Sequence, residues 1–100
     1  MEPDRITVVA VFRARPGHEM ALGAALRAML PPTRQEAGCL NYDLHRADDD
    51  PALFFFHETW ASMDHHRAHL DTPHVHHLLA ISSTLLREPI NELKGRRFEV

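Results

Sequence analysis

Two stretches restrict the fold more than anything else in these 100 residues. "RITVVAVFRAR", Arg5 to Arg15, and "ALFFFHETW", Ala52 to Trp60, are rich in β-branched and aromatic residues and read as strands. Side chains alternate between the two faces of a strand. In the first stretch Ile6, Val8, Ala10 and Phe12 share one face, yet Val9 and Val11 occupy the other. In the second, Phe54 and Phe56 stand opposite Leu53 and Phe55. A sheet with one wet face shows apolar-in, polar-out alternation. These strands do not, so both faces of their sheet call for cover.

Helical patterns supply cover for one face. "HEMALGAALRAML" repeats Leu22, Leu26, Met29 and Leu30 at helical spacing. Pro31-Pro32 then force a kink or restart, because proline removes a backbone bond and clashes with the preceding turn. Gly38 in "EAG" suits the end of that helix. "CLNYDLHRA" alternates Leu40, Tyr42 and Leu44 against Asn41, Asp43 and His45, which predicts a second strand. "DDDP" turns the chain into the third. Ser62 is placed to cap a short helix, "MDHHRAHL". Thr72 and Pro73 open another, whose inner stripe is Val75, Leu78, Leu79, Ser82 and Leu86. "PINELKGRRFEV" reads as a weaker last strand, interrupted by Gly95. The order β-α-β-β-α-α-β fits an α+β, ferredoxin-like antiparallel sheet in one domain, residues 1–100, with helices on one face. The second apolar face is best covered by another copy of the chain, sheet against sheet, since closed two-fold dimers are the commonest oligomers. Flanking strands and loops are the other available cover.

Composition excludes several partner classes. Eleven basic residues against fourteen acidic give a net charge of −3, with no basic run interleaved with aromatics, so nucleic acid is not an expected partner. No apolar stretch reaches 18 residues, and the N-terminal run lacks the pattern of a signal peptide. A single cysteine, Cys39, fits a reducing compartment, and the expectation is a cytoplasmic protein with no membrane partner.

"PPTRQEAGCLNYDLHRADDDPALFFFHETWAS" followed by "AHLDTPH" resembles the antibiotic-biosynthesis monooxygenase family, including its quinol-monooxygenase branch. The most specific pieces are "EAGCLNY", the E-x-W-x-S of Glu58 to Ser62, and "AHLDTPH" at Ala68 to His74. The resemblance implies a dimeric α+β barrel. It implies an enzyme that oxidises a quinol or polycyclic phenol with O₂ and needs no metal, flavin or other cofactor. One branch sharing the "TPH" element isomerises a small phosphorylated autoinducer, and others degrade haem. The haem pattern fits poorly: strand one has no Asn, the only Trp is Trp60 at the end of strand three, and the expected ligand position in the last helix is apolar. The isomerase reading would need cations in the pocket, and Arg67, Arg96 and Arg97 are the available ones. A small-molecule-binding dimer without turnover is the third reading.

Six of the nine histidines fall between Glu58 and Leu79. His65 and His69 stand at i, i+4, a spacing that can seat a metal, but a site needs three or four ligands. A solvated helix face is the expectation for His65 and His66, and no metal site is assigned. The candidate catalytic residues are His69 and Glu58, as acceptors of a phenolic proton. For each, a purely structural role stands beside the catalytic one. Phe56, Trp60 and His74, with Asn41 and His45 if their strand face looks into a cavity, are the candidate substrate contacts.

Overall fold

The computed structural model describes residues 4–99. Its elements are β1 (Ile6–Arg13), α1 (Glu19–Arg27), α2 (Leu30–Arg34), β2 (Cys39–Arg46), β3 (Leu53–Trp60), α3 (Met63–Leu70), α4 (Pro73–Leu85) and β4 (Asn91–Gly95). The four strands form one antiparallel sheet in the order β2-β3-β1-β4. This is the ferredoxin-like α+β arrangement that the pattern order predicts.

Strand period and sheet register together decide the core. Ile6, Val8, Ala10 and Phe12 of β1 pair with Trp60, Glu58, Phe56 and Phe54 of β3, so their side chains line one face. Leu22 and Leu26 of α1 and Val75 and Leu78 of α4 bury against that face. Phe56 stacks on Tyr42 at 4.4 Å and meets Phe12 edge-on at 5.7 Å. The opposite face carries Thr7, Val9, Val11, Leu53 and Phe55, each half-buried by neighbouring strands, and Leu93, which is 66% exposed. No helix of the described residues is long and apolar enough to cross a membrane.

Local signals set the helix ends. α1 stops at Arg27, and α2 restarts with proline in its first turn. The Ser62 hydroxyl accepts from the His65 amide, and the Thr72 hydroxyl accepts from the Val75 amide. Gly38 leaves the α2–β2 turn at φ +79°, and a Cβ there would lie 2.2 Å from the His65 ring. Only glycine fits, and α3 packs directly over that turn as a result.

Four expectations need correction. Leu79 is not part of the inner stripe of α4 but 50% exposed, the buried residues of that helix being Val75, Leu78 and Leu85. Leu40 does not share a face with Tyr42 and Leu44: the β2–β3 register shifts between Cys39 and Asn41, leaving Leu40 48% exposed. Cys39, opposite Trp60, packs against the core in its place. His66 is not solvated but 1% exposed. It lies three residues before His69 on α3, so when His69 docks on the sheet His66 docks beside it. The last strand ends at Gly95, and Val100 lies outside the described residues.

Candidate active site

Glu58 and Trp60 are two residues apart on β3 and therefore face the helices together. Glu58 is 3% exposed, and its Oε1 accepts a 2.8 Å hydrogen bond from the indole Nε1 of Trp60. Burial pushes its carboxyl up to about 7, against the stabilising pull of that bond. Tyr42 stands opposite it across β2–β3, and burial together with the Glu58 charge drives the phenol far above its ordinary range.

The corner between α3 and α4 brings a second polar group onto the same face. His69 ends α3, 3% exposed, with its ring 4.7 Å from Trp60 and edge-on to Tyr42 at 5.5 Å. Its Nδ1 lies 2.8 Å from Glu36 Oε2, and His74 Nε2, in the first turn of α4, lies 2.7 Å from the same oxygen. One carboxylate oxygen thus takes a hydrogen bond from each of two imidazoles. Burial lowers the His69 pKa, while the bond to Glu36 pulls it back upward. The Thr72 hydroxyl donates to the His69 carbonyl at 2.8 Å, so the cap of α4 also fixes the end of α3.

His66 completes the buried array, its ring 6.0 Å from both Trp60 and His69. Among the described residues neither of its ring nitrogens has a hydrogen-bond partner, and Glu92 of β4 lies 3.8 Å from Nε2. Burial lowers its pKa, with Glu92 acting in the opposite direction.

An apolar cavity of about 490 Å³ opens beside this cluster, between α1 and α4. Ala25, Ala28 and Met29 wall it on one side, Leu78 and Ile81 on the other, and His74 stands in its lining. The small alanines of α1 are what leave it open. A histidine oriented by a carboxylate at the wall of an apolar pocket can accept a proton from a weak acid bound there.

The candidate residues divide between two faces of the sheet. Glu58, His69, Trp60 and Phe56 meet in the interior, and His74 joins them from the cavity wall. Phe56 and Trp60 are sealed within the core. Asn41 and His45 lie on the other face, where Asn41 donates to the His57 carbonyl at 2.9 Å and His45 stacks on Phe55 at 4.9 Å. Sequence reasoning missed Glu36, which was read only as part of a helix end. The residues flanking it carry no sign that it pairs with histidines 33 and 38 positions away. Of the cations considered for the isomerase reading, Arg67 is a surface residue bound to Asp64, and Arg96 and Arg97 line a groove beyond β4.

Comparison with known proteins agrees with this architecture. The family model of antibiotic biosynthesis monooxygenases matches residues 5–80. The Mycobacterium tuberculosis protein named "Putative monooxygenase Rv0793" is 37% identical over 87 residues, covering 85% of this chain and 83% of that one. The crystal structure of PA3566 from Pseudomonas aeruginosa superposes with a TM-score of 0.92 at 33% identity, over 99% of both chains. A crystal structure described as an antibiotic biosynthesis monooxygenase superposes with a TM-score of 0.87 at 26% identity, over 94% of this chain and 99% of that one. These matches support a monooxygenase-like role, and the chain belongs to the antibiotic biosynthesis monooxygenase family.

Proposed function

We propose that the protein is a cofactor-independent monooxygenase that oxidises a quinol or polycyclic phenol with O₂. The observation that carries this reading is His74, set in the wall of the apolar cavity and held through Nε2 by a carboxylate that His69 also holds. With its Nε2 proton donated to Glu36, the neutral ring keeps its lone pair on Nδ1. That nitrogen takes the phenolic proton, and the charge it acquires is balanced by Glu36. His69 fixes the carboxylate from the interior, and Glu58, buried on the Trp60 indole with its carboxyl pushed up to about 7, lies outside the cavity lining.

The electron balance closes without a cofactor. The phenolate gives one electron to O₂, and the aryloxyl radical and superoxide join through a ring carbon. The proton held on His74 returns to the peroxide. Loss of the proton from that ring carbon, with cleavage of the O–O bond, releases water and leaves a quinone carbonyl. One oxygen atom enters the product and the other leaves as water. The apolar walls hold the ring and limit the water that would compete for the anion.

The isomerase alternative calls for cations at a phosphate, and the cavity lining contains none. Oxygen uptake with reduced naphthoquinols, with no cofactor added, tests the proposal against uncatalysed autoxidation. Acceleration is expected, and replacing His74 by Ala should reduce it by about 10²-fold or more. No acceleration for any quinol would move the reading to a binding module, and an unchanged rate in the variant would remove His74 from the mechanism.

A further inference from the structure

We propose that Glu36, His69 and His74 form a binding site for a single divalent transition-metal ion. Their three ligand atoms, Oε2, Nδ1 and Nε2, lie within 4.8 Å of one another. Two imidazoles and one carboxylate are a donor set suited to zinc and its first-row neighbours. At bond lengths near 2.1 Å a tetrahedral ion separates its ligand atoms by about 3.4 Å. The two nitrogens already flank the oxygen at 2.8 and 2.7 Å, so a small rotation of the Glu36 side chain opens the space.

Charge and placement favour the site. A carboxylate and two imidazoles offer one negative charge to the ion. Each ring needs only to move its proton to its other nitrogen. Three separate segments supply the ligands: the turn after α2, the end of α3 and the start of α4. The cap that joins the two helices through Thr72 fixes the spacing of two of them. Glu36 and His74 keep 14% and 21% of their side chains exposed, which gives an ion a way in while His69 forms the floor. The pairing is not the i, i+4 pair of α3, because His65 turns its Nδ1 to the Ser62 hydroxyl, 2.8 Å away.

Metal binding and the proposed proton transfer exclude one another. A metal on His74 Nε2 places the ring proton on Nδ1, the nitrogen that would otherwise accept from substrate. The site itself does not depend on the oxidation chemistry, because binding is read without turnover. Cobalt(II) titration of the full chain, free of any histidine tag, is followed by its visible absorption and by zinc displacement. One ion per chain is expected. Glu36→Gln and His74→Ala should each weaken binding by at least about 100-fold, the upper range for losing even an outer-shell partner. His76→Ala combined with His77→Ala should leave it unchanged, although His76 sits 3.3 Å from Asp71 on the surface. Absence of saturable binding overturns the proposal. So does full affinity in Glu36→Gln, or loss of the ion in the His76/His77 variant. His74 is at the cavity wall rather than in the core, so its variant keeps the test readable if the Glu36 variant folds poorly.

Discussion

Glu58 puts a carboxyl where the neighbouring strand positions put Val8 and Phe56. Because its folded pKa is raised from 4.5 to about 7, its favourable contribution is complete below about pH 4.5 and is lost as the pH rises through 7. The shift corresponds to a change on the order of 3 kcal/mol between those limits. His66 and His69 have lowered pKa values, and act in the opposite sense: their contribution is present above about 6.5 and falls as the pH drops below it. Glu58→Gln keeps an oxygen for the Trp60 indole but cannot ionise. Urea unfolding at pH 8 should find the variant more stable than the parent by roughly 2–3 kcal/mol, with the gap closing toward pH 5. A gap independent of pH would show that Glu58 does not titrate in this range. Glu58 and Trp60 were legible as a pair because strand period alone puts i and i+2 on one face. Glu36 was not, because only the folded chain brings it under two helices.

The α3–α4 corner is where local signals determine site geometry. Ser62, Thr72 and Pro73 could be placed from sequence because each acts within three or four residues of itself. Thr72 does more than cap: its oxygen receives the Val75 amide and gives its proton to the His69 carbonyl. Thr72→Ala should cost about 1 kcal/mol in urea unfolding, the usual loss for an N-cap. It should also loosen the angle between His69 and His74, which a weaker cobalt(II) affinity than the parent's would register. An unchanged stability would mean that Pro73 and packing hold the corner without the cap. Two features of the elements were not legible. The shifted register at Leu40 depends on how β2 pairs with β3, and the burial of His66 depends on which face of α3 meets the sheet. A count of histidines on a helix says nothing about either.

At the scale of the molecule, the face of the sheet away from the helices is unlike an ordinary wet face. Val9, Val11, Leu53 and Phe55 line it, Leu93 is 66% exposed at its edge, and Phe98 beyond β4 is fully exposed. The two-sided apolar pattern of β1 and β3 was legible because it needs only the period of two. What covers the second face was not, since one chain carries no information about a second beyond the need for it. We propose that a second copy covers it, sheet against sheet. Specific interfaces bury roughly 1,200–2,000 Å² in total, and apolar area removed from water contributes about 25 cal/mol per Å² before the costs of association. A lysine at the centre of such a contact would be buried without a partner, at a cost of several kcal/mol. In a single chain the same lysine would reach water along the sheet. Light scattering at micromolar concentration should therefore give twice the 11.4 kDa chain mass for the parent protein. Val9→Lys should give the single-chain mass with an unchanged far-ultraviolet dichroism spectrum. A parent protein of single-chain mass rules out the pairing. A Val9→Lys variant that remains a folded dimer places the contact on some other surface.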